Sequence, residues 1–306
     1  MERITMQDFA GQLAFITGGA SGAGLGQAKV FGRTGCRIVI ADIRQEAVDL
    51  ALAELRGEGI EAHGIQLDIT DRAAYAAAAD EVERVFGQAP TLLFNTAGVN
   101  NFGPIEKTTY GDFDWLIGVN LGGVVNGMVT FVPRMIASGK PCHITTVASL
   151  GGFTGSALAG PYSAAKAAVI NLMEGYRQGL EKYDIGVSVV CPANIKSNIA
   201  RATLTRSAAY GETGYVEGEE AIASLDSIYQ HGMEPEELAA NIMEGIQANA
   251  LYIIPYPETR DMLTQHFAAI VDSIPPIETD PEGAEKRVKA LMEWAQGGAK
   301  VFTEGR

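Results

Sequence analysis

Short, continuous apolar runs alternate along this chain with longer stretches in which apolar residues recur every three or four positions. The runs fall at residues 13–17, 37–41, 62–67, 91–95, 143–147, 186–190 and 251–254. A strand that is apolar at nearly every position has both faces covered, which is the condition of a parallel strand between layers of helices. The intervening stretches read as those helices, at 22–35, 44–56, 72–86, 113–137, 162–183 and 234–248. The last has Pro235 at an early helical position, where its missing N–H costs nothing. Strands alternating with helices, joined by right-handed crossovers, predict an α/β fold with a doubly wound, seven-stranded parallel sheet.

Two segments break the alternation. Residues 197–232 are rich in Thr, Gly and Glu and carry Tyr210 and Tyr215; they read as a mobile substrate-loop insertion. After Pro255-Tyr256-Pro257 a helical pattern returns, interrupted at Pro275-Pro276, so 258–306 reads as an appended helical extension. No repeat or linker divides the remainder, and 1–306 reads as a single domain with these two additions.

Composition narrows the function. The 306 residues are 47% hydrophobic and 20% charged, values of an ordinary globular chain, with a formal net charge of −14. Such a chain is repelled by phosphate backbones and anionic membrane surfaces, so neither nucleic acid nor a membrane is an expected partner. Cys36, Cys142 and Cys191 are isolated and read as small buried hydrophobes. The four histidines are scattered, so no metal site is expected. No apolar run reaches the roughly 18 residues of a membrane span, and the N-terminus lacks the pattern of a secretory signal. A cytoplasmic location is the expectation.

Candidate chemistry begins where the first run enters Thr17-Gly18-Gly19-Ala20-Ser21-Gly22-Ala23-Gly24 and then a helix. Glycines permit a tight turn and close approach of backbone to a pyrophosphate, and a helix N-terminus presents free N–H groups and positive dipole. The spacing is the T-G-x-x-x-G-x-G variant of the dinucleotide loop. Asp42 ends the second run. A carboxylate there accepts hydrogen bonds from ribose hydroxyls and repels a 2′-phosphate, which favours NAD over NADP. Arg44 nearby pulls the other way unless it is simply a solvated residue at a helix start. Asp68-Ile69, closing the third run, can meet an adenine edge, and Asp68 can equally cap a helix beginning near Thr70.

At the other end of the chain's chemistry, Tyr162 and Lys166 stand at i and i+4, on one helix face. A free tyrosine, with a pKa of about 10, is a poor base at neutral pH. A neighbouring ammonium and a cationic nicotinamide stabilise its phenolate and make it a proton acceptor for an alcohol. Ser149 lies just past the fifth run, where its hydroxyl can hold a substrate oxygen. Asn120 sits inside an apolar helix and needs a partner there, either a relay water or a structural hydrogen bond.

Thr17 to Gly24, Asp42, Asp68, Asn95-Thr96-Ala97-Gly98, Asn120, Ser149, Tyr162 with Lys166, and Pro192-Ala193-Asn194-Ile195-Lys196-Ser197 follow the order of the short-chain dehydrogenase/reductase family. The resemblance covers about residues 9–257. It implies a Rossmann-type fold with an Asn-Ser-Tyr-Lys tetrad and a homodimer or homotetramer. By position, Tyr162 is the base and Ser149 orients the carbinol oxygen. Lys166 binds nicotinamide ribose and lowers the Tyr162 pKa, and Asn120 supports a proton relay. The phosphate loop uses Gly18, Ser21, Gly22 and Gly24. Asn95, Ala97 and Gly98 lie along the cofactor, and Ile195, by its backbone, with Ser197 nearby, holds the carboxamide. Two positions depart from the family pattern: Thr96 replaces an Asn, and Ala193 replaces a Gly under the nicotinamide.

Segments 102–110, 151–153 and 252–257, with the C-terminal extension, resemble the bacterial Cα-dehydrogenases of lignin β-aryl ether breakdown. That likeness implies NAD-dependent oxidation of the benzylic alcohol of guaiacylglycerol-β-guaiacyl ether, an aromatic small-molecule alcohol. The subgroup contains members of opposite Cα preference; the R alcohol is the preferred reading. Phe102, Phe153, Tyr210 and Tyr215 are candidate walls for an aromatic substrate, or ordinary core and surface aromatics. The alternatives are the same chemistry on a steroid, polyol or hydroxyacyl alcohol, and a non-catalytic NAD-binding protein.

Overall fold

A computed structural model describes residues 6–298. It contains a sheet of seven parallel strands: β1 (Leu13–Thr17), β2 (Arg37–Asp42), β3 (Ala62–Gln66), β4 (Leu92–Asn95), β5 (Cys142–Val147), β6 (Ile185–Val190) and β7 (Tyr252–Ile253). The order is β3-β2-β1-β4-β5-β6-β7. β1 pairs with both β2 and β4, Thr17 standing opposite Ala41 on one side and Asn95 on the other. Strand order reverses there, and the crevice at the carboxyl ends of β1 and β4 is where such sheets bind ligands.

Alternate residues of each strand enter opposite layers. Leu13 and Phe15 point to α3 (Arg72–Phe86), α5 (Gly123–Ser138) and α6 (Gly160–Leu180), packing with Tyr75, Phe131 and Met173. Ala14 and Ile16 point to α1 (Gly22–Arg33), α2 (Gln45–Gly57) and α8 (Pro235–Gln247), packing with Phe31, Leu55 and Ile242. Both faces are therefore dry, and each fully buried Phe or Leu contributes about 2 kcal/mol.

The helix predicted at 113–137 is longer and has a defect. It runs as α4 (Tyr110–Ile117), a π-helical turn (Gly118–Gly122) and α5. This continuous helix, Tyr110–Ser138, is long and apolar enough to cross a membrane, although Asn120 and Asn126 interrupt its apolar run. Its apolarity matches its position, since Trp115, Leu116, Val124, Met128, Phe131 and Met135 are buried inside the protein. α4 starts with a capping box in which Thr109 and Asp112 each bond the other's backbone. α3 is capped by Asp71, whose carboxylate accepts from Ala73 and Ala74. Asp68 is not that cap: it holds the preceding turn, accepting from the Thr70 N–H and hydroxyl at 2.9 and 2.7 Å.

Residues 197–232, the expected substrate-loop insertion, carry regular elements. They form 3-10 turns at Asn198–Thr205 and Ala208–Tyr210 and a helix, α7 (Glu219–Tyr229). The chain separates into two compact units, the first ending at Pro257 and the second starting at Glu258. The second holds α9 (Arg260–Asp272) and α10 (Pro281–Glu293), with the Pro275-Pro276 break between them.

Candidate active site

The phosphate loop closes on itself. Gly18 and Gly22 take positive φ, +65° and +49°, and a Cβ on either would lie 2.8 Å from a neighbour, Ala97 or Ser197. At Gly24 a Cβ would meet the Gly18 carbonyl at 2.2 Å. Ser21 takes the N-cap position of α1 but makes no side-chain bond to the helix backbone, so the first-turn N–H groups stay open to a ligand. Its Oγ instead accepts from Arg44 Nη2 at 3.3 Å, and Arg44 Nε and N–H reach Asp42 Oδ1 at 3.3 and 3.1 Å. Arg44 is thus folded back onto the carboxylate at the end of β2. The cradle fits a dinucleotide: open helix N–H groups, no room for side chains, and a carboxylate at the sheet edge.

The turn after β4 is fastened by Thr17, whose Oγ1 accepts from the N–H groups of Thr96 and Ala97 at 3.0 and 3.2 Å. Thr96, which replaces the family Asn, is satisfied here, its hydroxyl donating to Gln27 Oε1 at 2.7 Å. Ala193 needs no glycine conformation: among the described residues only Asp184 and Asn249 are non-glycines at positive φ. Asn95 turns inward, donating to Thr146 Oγ1 at 3.2 Å, so its side chain holds the sheet and only its backbone lies toward the crevice. Ile69 is likewise drawn into the core: its side chain fills the notch at Gly123 and its carbonyl accepts from Asn126. Ile195 forms a bridge to Met233 through the Asn194 carbonyl and the Lys196 N–H, which leaves its own N–H on the opposite side. The Ile195 carbonyl accepts from the Ser197 hydroxyl at 3.4 Å.

The tetrad residues come together. Ser149 caps the turn after β5, its Oγ accepting from the Gly151 N–H at 3.1 Å, and is hydrogen-bonded to Tyr162. Lys166 Nζ lies 5.7 Å from the Tyr162 ring centre and donates to the Val147 carbonyl at 2.9 Å. Burial pushes the Tyr162 phenol above its ordinary value, and the Ser149 hydrogen bond offsets this only in part. Burial pushes the Lys166 ammonium down to about 8, against an opposing pull from Cys191. Both groups are thus held toward their neutral forms, and the phenolate requires further positive charge at the site.

Asn120 lies in the π-helical turn and is fully buried. Its amide donates to the carbonyls of Leu116 and Val99, both at 2.9 Å, and its Oδ1 accepts from the Val99 N–H at 3.2 Å. Leu116 is four residues back, the acceptor a regular helix would give the Asn120 N–H, so the side chain supports the bulge. The gap beside it is small: a Cβ on Gly98 would lie 2.9 Å from Asn120 Oδ1 and 3.4 Å from Lys166 Nζ.

Of the four aromatic candidates, Phe102 is placed beside Tyr162, with ring centres 6.4 Å apart. The Phe153 ring meets Tyr252 at 6.4 Å. Tyr210 packs with Trp115 over α4, near Asp68 and Asp114. Tyr215 is buried behind the loop, its ring against Gly103 and its hydroxyl bonded to Thr108 Oγ1 at 2.5 Å. These placements follow from packing between distant segments, which aromatic composition does not encode.

Three residues at the site escaped sequence reasoning. Asn100 and Asn101, both buried, reach Tyr229 and Thr213 at 2.9 and 3.3 Å. Asp112 anchors the 197–232 segment. The one available signal was the Asn-Asn pair in the loop a few residues beyond an apolar strand, a costly place for amides without partners if the loop is buried.

A family model described as short chain dehydrogenase matches residues 12–207. Over 300 residues the chain is 73% identical to a C alpha-dehydrogenase of Sphingobium sp. strain SYK-6, spanning 98% of each protein. The crystal structure of the apo form of LigD from the same strain aligns with a TM-score of 0.76 and 66% identity, over 88% of this chain and 100% of that one. A short chain dehydrogenase/reductase from Burkholderia phymatum, solved in complex with NAD, aligns with a TM-score of 0.80 and 29% identity, over 89% and 98%.

Proposed function

Because the chain belongs to the short-chain dehydrogenase family, we propose that it oxidises the benzylic Cα alcohol of lignin-derived β-aryl ethers, such as guaiacylglycerol-β-guaiacyl ether, to the ketone with NAD. It is an oxidoreductase acting on CH–OH groups. The observation that carries the substrate is the end-to-end likeness to a C alpha-dehydrogenase, which extends through the loop and tail beyond the family core.

The chain's own residues account for the proton chemistry. Ser149 orients the carbinol oxygen and shares a hydrogen bond with Tyr162, which takes the hydroxyl proton at its phenolate oxygen. When bound, the nicotinamide supplies the acceptor for the hydride that leaves the carbinol carbon. Lys166 spends one N–H on Val147 and has two more donors for the ribose hydroxyls and for the proton's way out past Gly98. Asn120 keeps that passage shaped by holding the helix bulge and Val99 together. Ile195 and Ser197 would hold the carboxamide.

NAD rather than NADP is supported by Asp42, whose carboxylate accepts ribose hydroxyls and repels a 2′-phosphate while occupying Arg44. A homodimer or homotetramer is supported by the apolar outer face of α5, where Val129 is 65% exposed. A cytoplasmic site of action is supported by three buried, unpaired cysteines.

The test is NADH formation from NAD and the separated stereoisomers of guaiacylglycerol-β-guaiacyl ether. Rapid formation from the R alcohols is the expected result. Turnover of simpler secondary alcohols with no reaction of any isomer sinks the lignin assignment.

A further inference from the structure

Four consecutive residues after β4 each fasten a different part of the site. Val99 is clamped to Asn120, Asn100 reaches Tyr229, Asn101 reaches Thr213, and Phe102 lies against Tyr162. Val99 secures the tetrad and Phe102 offers an apolar wall, but a buried amide spent on a tyrosine at the end of α7 has no such evident task. Tyr229 lies close enough to Tyr162 for the two phenols to interact electrostatically.

We propose that Tyr229 is a second hydroxyl donor in the substrate pocket, placed to bind an acceptor oxygen that the substrate carries on the carbons beyond its carbinol. The geometry sets the direction of the bond. Asn100 Nδ2 donates to the Tyr229 oxygen at 2.9 Å, so the phenolic hydrogen is free to point elsewhere, and it has no acceptor among the described residues. Asn100 is itself buried, so the donor is fixed from behind. Burial and the neighbouring Tyr162 push the Tyr229 hydroxyl up to about 12, against the Asn100 hydrogen bond. Tyr229 therefore keeps its proton where Tyr162 must give its own up. Two phenols in one pocket then divide the work: one removes a proton from the carbinol, the other donates to a neighbouring oxygen.

A β-aryl ether supplies such oxygens, an ether oxygen on the adjacent carbon and a hydroxyl on the next. A simple 1-arylethanol supplies none. This inference rests on the proposed function, and the experiment separates the two. The measurement is kcat/KM for guaiacylglycerol-β-guaiacyl ether and for the 1-arylethanol bearing the same ring, in wild type, Tyr229→Phe and Asn100→Asp. Tyr229→Phe is expected to lose roughly ten-fold more on the ether than on the arylethanol, the size of one hydrogen bond and the partner it leaves unpaired. Asn100→Asp, whose carboxylate captures the phenolic hydrogen, is expected to shift the ratio in the same direction. A ratio unchanged from wild type in Tyr229→Phe, with the ether still oxidised by wild type, overturns the inference alone. Failure of wild type to oxidise the ether overturns the functional reading beneath it.

Discussion

Asp112 and Thr213 stand 101 positions apart in the chain, yet the Thr213 hydroxyl donates to Asp112 Oδ1 at 2.6 Å. The same carboxylate accepts from the Gly214 N–H at 3.1 Å and faces Arg206 at 3.6 Å. It also closes the capping box of α4 with Thr109. One buried side chain thus starts a helix and ties the 197–232 segment to it.

Replacing Asp112 by Ala removes the carboxylate facing Arg206 and the acceptor of the Thr213 hydroxyl in a dry site and is expected to cost about 3 kcal/mol, several degrees of Tm. Burial raises the Asp112 pKa, but the hydrogen bonds from Thr213, Thr109 and Gly214 outweigh it, and the net shift is downward. A carboxylate depressed on folding stabilises above its unfolded value, and that contribution fades only as pH falls through the depressed one. The anchor should therefore hold through mild acid, and the wild-type advantage over Asp112→Ala should be the same at pH 7 and pH 5 in thermal melts.

His143 loses its contribution on acidification too, but over a higher pH window. Its Nε2 bonds Ser188 Oγ at 2.8 Å, and Ser188 donates to the Ala250 carbonyl at 2.6 Å. Burial, with a contribution from Arg177, lowers its pKa from 6.5 to about 3. The folded state therefore keeps it neutral, and that contribution is complete above 6.5 and lost as pH falls toward 3. Between pH 6.5 and 5, wild type should lose roughly 2 kcal/mol more stability than His143→Gln in urea titrations.

Tyr162→Phe should lower kcat by about 10²–10⁴-fold while NAD still binds, as read by NADH formation and by cofactor titration. Ser149→Ala should move the rising limb of the kcat/KM pH profile upward, because the Ser149 hydrogen bond is what holds the Tyr162 pKa down. A limb that moves to lower pH would contradict that assignment.

Asp42→Ala should release Arg44, whose guanidinium now bonds Asp42 and Ser21. The freed cation can meet a 2′-phosphate, so the NADP-to-NAD ratio of kcat/KM should rise roughly ten-fold or more. An unchanged ratio would remove the basis for the NAD preference.

Strand periodicity and short motifs carried much of this protein in one dimension. Continuous apolar runs require cover on both faces, so the parallel sheet was legible, and the Ala- and Glu-rich pattern of 72–86 was legible as a helix, whereas its cap, read as Asp68, is Asp71. The phosphate loop and the Tyr162–Lys166 pair were legible for the same reason: their chemistry depends on neighbours a few residues away. Tertiary structure alone decided which aromatics meet Tyr162, that Thr96 finds Gln27, that Asn120 props a π-helical turn, and that Asp112, Asn100 and Tyr229 hold residues 197–232 in place. Those are contacts between residues about 60 to 130 positions apart, apart from the Asn120 bonds to nearer carbonyls. Their residue types are common, and a polar side chain's partner is chosen by where burial brings it, not by its place in the chain.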